Sequence, residues 1–465
     1  MTVSRVLAGG LSAAWVLASL AAAAAPGDDQ PSTRPGSQPA VMRLSLSQAV
    51  GIAVSKSKAL AIASQSLRKA GGKVGEAKAV SHPTATAAVT GTRLDKGTTV
   101  KLNDADVPIT VQNQIGVTVQ AALPLDVAGQ IRAALSIAEF SDLVAKLDVA
   151  RTRNSVVADA RSAYLDVLRA RAFVTVAEQA LKNSKERSST AQAYLKAGTG
   201  TRFDTLRAET DVANSEQVLI SARNRVDLAV AALNNAMGQD QNTPLELEDA
   251  KVGDTKSEPD PLAMAMQEAY GRRPEALQVD LQIRAADKGL ILADRSVMPT
   301  FGLGWNLSFN PNVGALGRST SWAAVASVSL PLFDGGLARA RKVQAQADAA
   351  SIRIVKQQVL DGLALEVRSA YLGWVEAGER MKVTGAALVQ AEEQYRLAQV
   401  RFRNGVTLTP GASPLLEVSD AQTALTQAQA NRINAEYDLL GSQTKLQKAL
   451  GRYAYEGQPT EAAGR

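Results

Sequence analysis

The spacing of apolar positions changes period along this chain, and the same succession of periods occurs twice. From Leu44 to about Val80, Leu46, Ala49, Val50, Ala53 and Val54 recur at three- and four-residue steps, the signature of one helix face. Ser45 or Ser47 stands where a cap is needed. The period then falls to two. Ala85, Ala87 and Val89 alternate with Thr84, Thr86 and Thr90, and Ile115, Val117, Val119, Ala121 and Leu123 alternate with polar residues such as Gln114, Thr118 and Gln120. The pattern predicts strands over 84–92 and 109–123, joined as a hairpin by a polar loop near Asp95 to Asp106. After Pro124 no proline occurs until Pro244, and the pattern predicts long helices over 128–197 and 202–237. The first would be about 105 Å long. Gly198-Thr199-Gly200 interrupts it, Thr201 with Asp204 resembles a capping-box restart, and Gly238 supplies a C-terminal stop.

Residues 239–260, rich in Asp, Glu, Pro and Gly, predict a linker, after which the programme returns. Residues 261–297 are helical in pattern. Phe301, Leu303, Trp305, Leu307 and Phe309 alternate with Gly302, Gly304, Asn306 and Ser308, and Trp322, Ala324, Ala326, Val328 and Leu330 follow beyond an Asn-Pro-Asn loop. These predict strands over 300–309 and 321–330, then helices over 335–404 and 415–450, with the remainder, 452–465, as a disordered tail. The repeat holds residue by residue. Leu123-Pro124-Leu125 returns as Leu330-Pro331-Leu332, Arg161-Ser162-Ala163-Tyr164-Leu165 as Arg368-Ser369-Ala370-Tyr371-Leu372, and Gly198 as Gly405, each 207 residues on. From Asp204 onward the offset is 213, so six residues have entered the second turn between Val406 and Ser413. An internal duplication follows, with repeats over 44–238 and 261–451. Pro124 and Pro331 mark the two strand-to-helix junctions, where a missing backbone donor would end the ladder. At the second, Asp334-Gly335-Gly336 frees the chain to change its twist.

Composition narrows the function classes. There is no cysteine, hence no thiolate nucleophile, disulfide framework or lipidation site. The single histidine, His82, precedes Pro83 at a turn into a strand, with no nucleophile motif near it. No phosphate-loop or dinucleotide pattern occurs. The sequence thus argues against an enzyme and implies no cofactor. The net charge of +6 is interleaved along helices and aromatic residues are scarce, which argues against nucleic acid. Arg5, the apolar run Val6–Ala25 and its alanine-rich end read as a secretory signal peptide over 1–25. A membrane helix is the alternative, since the run is nearly long enough. Residues 26–43 read as a flexible leader.

The strands have the length and alternation of membrane-spanning β-strands, although a soluble sandwich edge alternates in the same way. Four strands cannot close a barrel, and open edges are not tolerated in lipid, so several chains must share one barrel. The order of helix, hairpin, Leu-Pro-Leu, long helix, glycine turn and long helix, all twice over about 44–451, resembles the outer membrane efflux protein family of TolC-like channels. The resemblance implies a mainly α protein with a transmembrane β-barrel portion. Three chains would form a homotrimer, giving a twelve-stranded barrel in outer-membrane lipid and a continuous periplasmic α-barrel of coiled-coil-like helices. It would be a passive exit duct docking to a periplasmic adaptor and an inner-membrane pump or ABC exporter, in efflux or type I secretion. A structural coiled-coil protein of the envelope, without a pore, is the competing reading.

The resemblance also implies residues. An acidic ring at the periplasmic gate would come from Glu417 and Asp420, one helical turn apart, which in a trimer could hold a divalent cation. The same residues suit plain helix-start chemistry, with Ser413 as cap and Pro414 in the first position. Asp204 and Arg207 occupy equivalent places in the first copy, and Phe402 stands where relatives often carry a tyrosine that joins the gate links. The turns at Gly198-Thr199 and Gly405-Val406 match adaptor-docking positions, or are simply glycine caps between helices.

Overall fold

The computed structural model describes residues 42–102, 105–249, 260–311, 318–404 and 414–455. The expected signal peptide, the leader up to residue 41 and the Gly405-Val406 turn lie outside these residues.

In chain order the elements are β1 (Met42–Leu44), α1 (Leu46–Lys56), α2 (Lys58–Ala79), β2 (Thr84–Arg93), β3 (Thr98–Leu102), β4 (Ala105–Thr110), β5 (Asn113–Leu125), α3 (Gln130–Lys196), α4 (Arg202–Ala236), β6 (Leu245–Leu247), α5 (Leu262–Arg272), α6 (Pro274–Asp294), β7 (Thr300–Phe309), β8 (Thr320–Ser329), α7 (Leu337–Arg403) and α8 (Pro414–Ala449). α3 and α7 each run 67 residues, about 100 Å at 1.5 Å per residue. A helix of that length needs support along its side. α3 is flanked by α2 near the sheet and by α4 toward the far end, and α7 by α6 and α8 in the same way. The two long helices are joined through α6 and α8, which also pack on α3. Each column of two shorter helices meets end to end at a left-handed glycine. A Cβ on Gly238 would stand 2.7 Å from the Lys56 carbonyl oxygen, and one on Gly451 would stand 3.3 Å from that of Arg272. The same close approach thus closes both repeats.

The apolar core lies halfway along α3. Leu44, Ala49, Ala53, Ala160, Tyr164, Val167, Leu168, Leu233, Met237 and Leu245 are buried together. The Tyr164 hydroxyl shares its one proton between the carbonyls of Glu248 at 2.5 Å and Leu44 at 3.0 Å. Burial, reinforced by Glu248, pushes that hydroxyl up to about 12, so it stays a donor. A second cluster joins Ala265, Ala269, Val367, Trp374, Leu446, Ala449 and Leu450.

Several expectations require correction. The helix expected over 44–80 is two, because Ser57 takes an extended conformation and its hydroxyl accepts from the Leu60 amide to start α2. Of the two cap candidates Ser45 serves, in a reciprocal box with Gln48. Pro274 likewise divides 261–297, and a 3-10 turn, Arg295–Val297, ends that stretch. The leader and the linker each hold a three-residue strand, and β1 pairs in parallel with β6, Arg43 opposite Glu246. Asn234 fastens the linker to α4 by donating to the carbonyls of Gln241 and Thr243. An additional hairpin, β3–β4, runs from within the polar loop 95–106 to Thr110, so the expected strand 109–123 is shared between β4 and β5. The tail begins as a packed turn, Arg452–Ala454, with Tyr453 and Ala454 buried.

Candidate functional site

Two places carry the chemistry: the four-stranded sheet, and the helix ends farthest from it.

The sheet order is β2-β5-β7-β8, with every neighbour antiparallel. Directly paired residues share a face, so the register sorts the sequence. Ala87, Val119, Leu307 and Trp322 form one cross-strand row, followed by Ala85, Ala121, Trp305 and Ala324, and then by Leu123, Leu303 and Ala326. The rows between them read Thr86, Gln120, Asn306 and Ala323, then Thr84, Ala122, Gly304 and Val325. One face is therefore a continuous apolar surface and the other is small and polar. In a soluble sandwich the apolar face would be covered by a second layer. Here Trp322, Val328, Leu303 and Trp305 remain exposed, and β2 and β8 are exposed throughout. These two strands are also unpaired along their outer edges. Because strand direction alternates, β8 of one copy and β2 of the next would continue the antiparallel ladder.

Pro124 does not end its strand. It lies inside β5 opposite Gly302, and β2 has already stopped with Thr84 opposite Ala122, so Pro124 pairs on one side only. Pro331 lies beyond the end of β8. The turn into each long helix is built by an aspartate that the periodicity did not single out. Asp126 accepts from the amides of Ile131 (2.9 Å) and Arg132 (3.0 Å), and Asp334 from those of Gly336 (2.9 Å) and Ala338 (2.7 Å). Those two bonds hold the Asp334 carboxyl below its ordinary range.

The helical columns carry the same asymmetry as the sheet. Large exposed apolar side chains concentrate on α7, as Ile354, Leu365, Leu372 and Val383, and on α4, as Phe203, Val218, Ile220 and Leu228. These columns follow the two bare sheet edges. Covering them with a second copy would take a head-to-tail contact, which generates a ring where its rotation closes.

At the far end the two helical hairpins meet. Gly198 takes φ +73°, and the amides of Thr199 and Gly200 both donate to the Tyr194 carbonyl, closing the α3 end. Thr201 caps α4 and its hydroxyl also bonds the Asp204 carboxylate at 2.7 Å. Phe402 packs its ring against Tyr194, centroids 5.7 Å apart and edge-on, beside Ala191, Ala208 and Leu415. Glu417 and Asp420 stand one turn apart on α8 in different surroundings. Glu417 is 18% exposed and lies 3.6 Å from Arg401 of α7. Asp420 is 70% exposed and 3.9 Å from Arg207 of α4. The structure thus brings Asp420 and Arg207 together, whereas Asp204 stays with its own cap. Two hydrogen bonds join the hairpins just behind, Ser419 to Asp211 at 2.8 Å and Asn183 to Gln422 at 2.9 Å. Arg401, Tyr194 and Asp211 were not singled out from the sequence, because nothing local distinguishes them from other helix-surface residues. A groove of about 660 Å³ beside the acidic pair is lined by Val389, Glu393, Leu397 and Arg401 among others. Among the described residues of one chain, no three histidine or acidic side chains converge on a metal position, and no helix is long and apolar enough to cross a membrane.

Comparison with known proteins extends this geometry. Residues 49–239 and 265–452 each match the model of a family described as outer membrane efflux protein, so the family unit is present twice. The chain is 24% identical over 370 residues to the solvent efflux pump outer membrane protein SrpC of Pseudomonas putida, covering 74% of this chain and 72% of that protein. It is 22% identical over 326 residues to the outer membrane efflux protein BepC of Brucella suis, covering 70% and 69%. Among solved structures, the outer-membrane channel OprN superposes with a TM-score of 0.75 at 22% identity over 87% of this chain and 89% of that one. CusC gives 0.76 at 16% identity over 87% and 91%.

Proposed function

The chain belongs to the outer membrane efflux protein family, and from that premise we propose that it works as a homotrimeric exit duct across the outer membrane. The observation that carries the proposal is the sheet. It has an apolar face with no cover and two bare edges of ten residues each. In lipid every backbone group must find a partner within protein, so the edges require neighbouring copies. Three chains would supply twelve strands, within the range of single-wall barrels. The polar face of small residues would then line a water-filled lumen, and the helical columns would continue that wall through the periplasm. A pore-free coiled-coil protein of the envelope would require neither the apolar face nor the matched edges.

The far end of the helices is the proposed gate. Three copies of Glu417 and Asp420 would place six carboxylates about the axis, where they would favour cations. The Arg207–Asp420 contact is long and largely exposed, worth roughly 0–1 kcal/mol. A contact of that size is weak enough to be exchanged when a partner binds. Phe402 has no hydroxyl, so its packing against Tyr194 would replace a hydrogen bond by an apolar contact that resists sliding less directionally. The turns at Gly198-Thr199 and Gly405-Val406 are the proposed docking points for a periplasmic adaptor, which would couple the duct to an inner-membrane pump. Relatives bearing the names of solvent and toluene efflux pumps support small-molecule efflux over protein secretion.

The test is purification from detergent-extracted outer membranes followed by single-channel recording. A heat-modifiable trimer with discrete conductance is expected, and a soluble monomer would overturn the duct. Replacing Glu417 and Asp420 by alanine should lower cation selectivity in planar bilayers. Unchanged selectivity would leave them only their helix-start role.

A further inference from the structure

Where the four membrane strands give way to helices, the chain repeats one chemical arrangement at four separate points. Each junction exposes large apolar side chains. They are Val80 between α2 and β2, Val127 between β5 and α3, Val297 and Met298 between α6 and β7, and Leu332 with Phe333 between β8 and α7. Leu332 and Phe333 are 91% and 90% exposed, the most exposed large apolar residues described. Leu125, Phe301 and Val328 form the last paired row of the sheet's apolar face, and the junction residues continue past it. Basic residues follow at once. Lys78, Arg132, Arg295, Arg339, Arg341 and Lys342 all lie within the adjoining helix ends, whereas β5, β7 and β8 carry no charge.

Three of the carboxylates at this level are committed elsewhere. Asp126 and Asp334 each accept two helix amides, and Asp294 pairs with Lys342 at 2.7 Å. Arg132 approaches Asp126 at 3.7 Å, and Arg341 acts on Asp334 only at longer range. Lys78, Arg339 and Arg341 form no salt bridge among the described residues and are exposed. An apolar collar backed by unpaired cations is the pattern that seats a protein in an anionic lipid surface, the collar in the acyl boundary and the cations at the phosphates. Long basic side chains at helix ends can reach up to that level.

Resting on the duct reading, we propose that this collar and its basic belt form a binding surface for anionic phospholipid headgroups of the periplasmic leaflet. The belt sets the depth of the barrel in the membrane and selects negatively charged lipid. Native mass spectrometry of the detergent-solubilised protein, given equal phosphatidylglycerol and phosphatidylcholine, measures the preference directly. The unaltered protein should retain phosphatidylglycerol selectively. Combining Lys78→Gln, Arg339→Gln and Arg341→Gln should lower that preference by on the order of a hundredfold, since each base contributes about a fivefold factor at an anionic surface. Lys182→Gln with Lys196→Gln, far from the junction, should leave it unchanged. Equal retention of both lipids, or a triple variant that binds as before, overturns the proposal. Leu332→Ser with Phe333→Ser should shed lipid while the trimer survives. Dissociation into monomers would instead assign that pair to the neighbouring copy and overturn the collar. A heat-modifiable trimer in the outer-membrane fraction is scored first. Its absence counts against the duct, and its presence without lipid preference counts against this inference alone.

Discussion

The end-to-end meeting of α4 with α1 at Gly238 offers a sharp test of the packing, because a second glycine supplies an internal control. Gly238 and Gly198 both end helices in the left-handed region, at φ +67° and +73°. Alanine at either position pays the intrinsic cost of a Cβ in that region, about 1–2 kcal/mol. The surroundings then separate the two. Around Gly198 nothing lies within 4 Å of an added Cβ, so the backbone cost is the whole cost. At Gly238 the Cβ would stand 2.7 Å from the Lys56 carbonyl oxygen, 3.2 Å from its carbon and 3.3 Å from its Cβ. A carbonyl at the end of α1 cannot rotate away as a flexible side chain would, so α1 or α4 must shift. Loss of fit in a tight core costs typically a further 1–3 kcal/mol. Thermal unfolding of the detergent-solubilised protein, followed by circular dichroism at 222 nm, should show Gly198→Ala destabilised by about 1–2 kcal/mol and Gly238→Ala by clearly more. Equal shifts would refute the reasoning, because they would mean that the column end is free to move.

Tyr453 is 5% exposed, has the Arg161 guanidinium over its ring at 4.7 Å from the centroid, and packs with Val157 and Ala158 of the first repeat. Tyr453→Ala should cost about 3–5 kcal/mol and expose the C-terminal segment to limited proteolysis. Hydrogen bonds from Arg452, aided by Arg272, hold the Glu268 carboxyl below its ordinary value of 4.5. A depressed carboxyl contributes stability that is present above pH 4.5 and lost as pH falls through its lower folded-state value. The unfolding midpoint should therefore drop in that acid window, and Glu268→Gln should remove this part of the drop while lowering stability at neutral pH. Asp126→Ala leaves two α3 amides without their acceptor and should cost roughly 0.5–2 kcal/mol, with faster hydrogen exchange at Ile131 and Arg132 as the local readout.

The elements legible in the sequence are those whose periodic run is long. The 67-residue helices α3 and α7 and the ten-residue strand β7 appear in the spacing of single apolar residues, and the two helices stand at a 207-residue offset. Short elements escaped. β1 and β6 have three residues each, too few for any period to register, and they exist because Leu44 and Leu245 find one core with Tyr164. The break at Ser57 was equally hidden, since a serine inside an apolar-periodic run carries no sign that it will start a new helix. At the proposed gate, resemblance points to Glu417 and Asp420 but does not say which arginine each meets. Arg401 and Arg207 come from different helices, and only the packing of α7 and α4 on α8 brings them near.

By itself, then, the sequence determined the materials: alternating strands with one apolar face, long proline-free helices, and two copies of the whole. The face of a strand or helix is written in the segment's own residues, so it survives without knowledge of any partner. The tertiary structure decided the arrangement. It set β5 beside β7, so that two hairpins become one sheet with two bare edges, and it set α6 and α8 of the second repeat against α3 of the first. Partner choice depends on comparing many distant apolar surfaces for the one fit that buries them together, and no local pattern encodes that comparison.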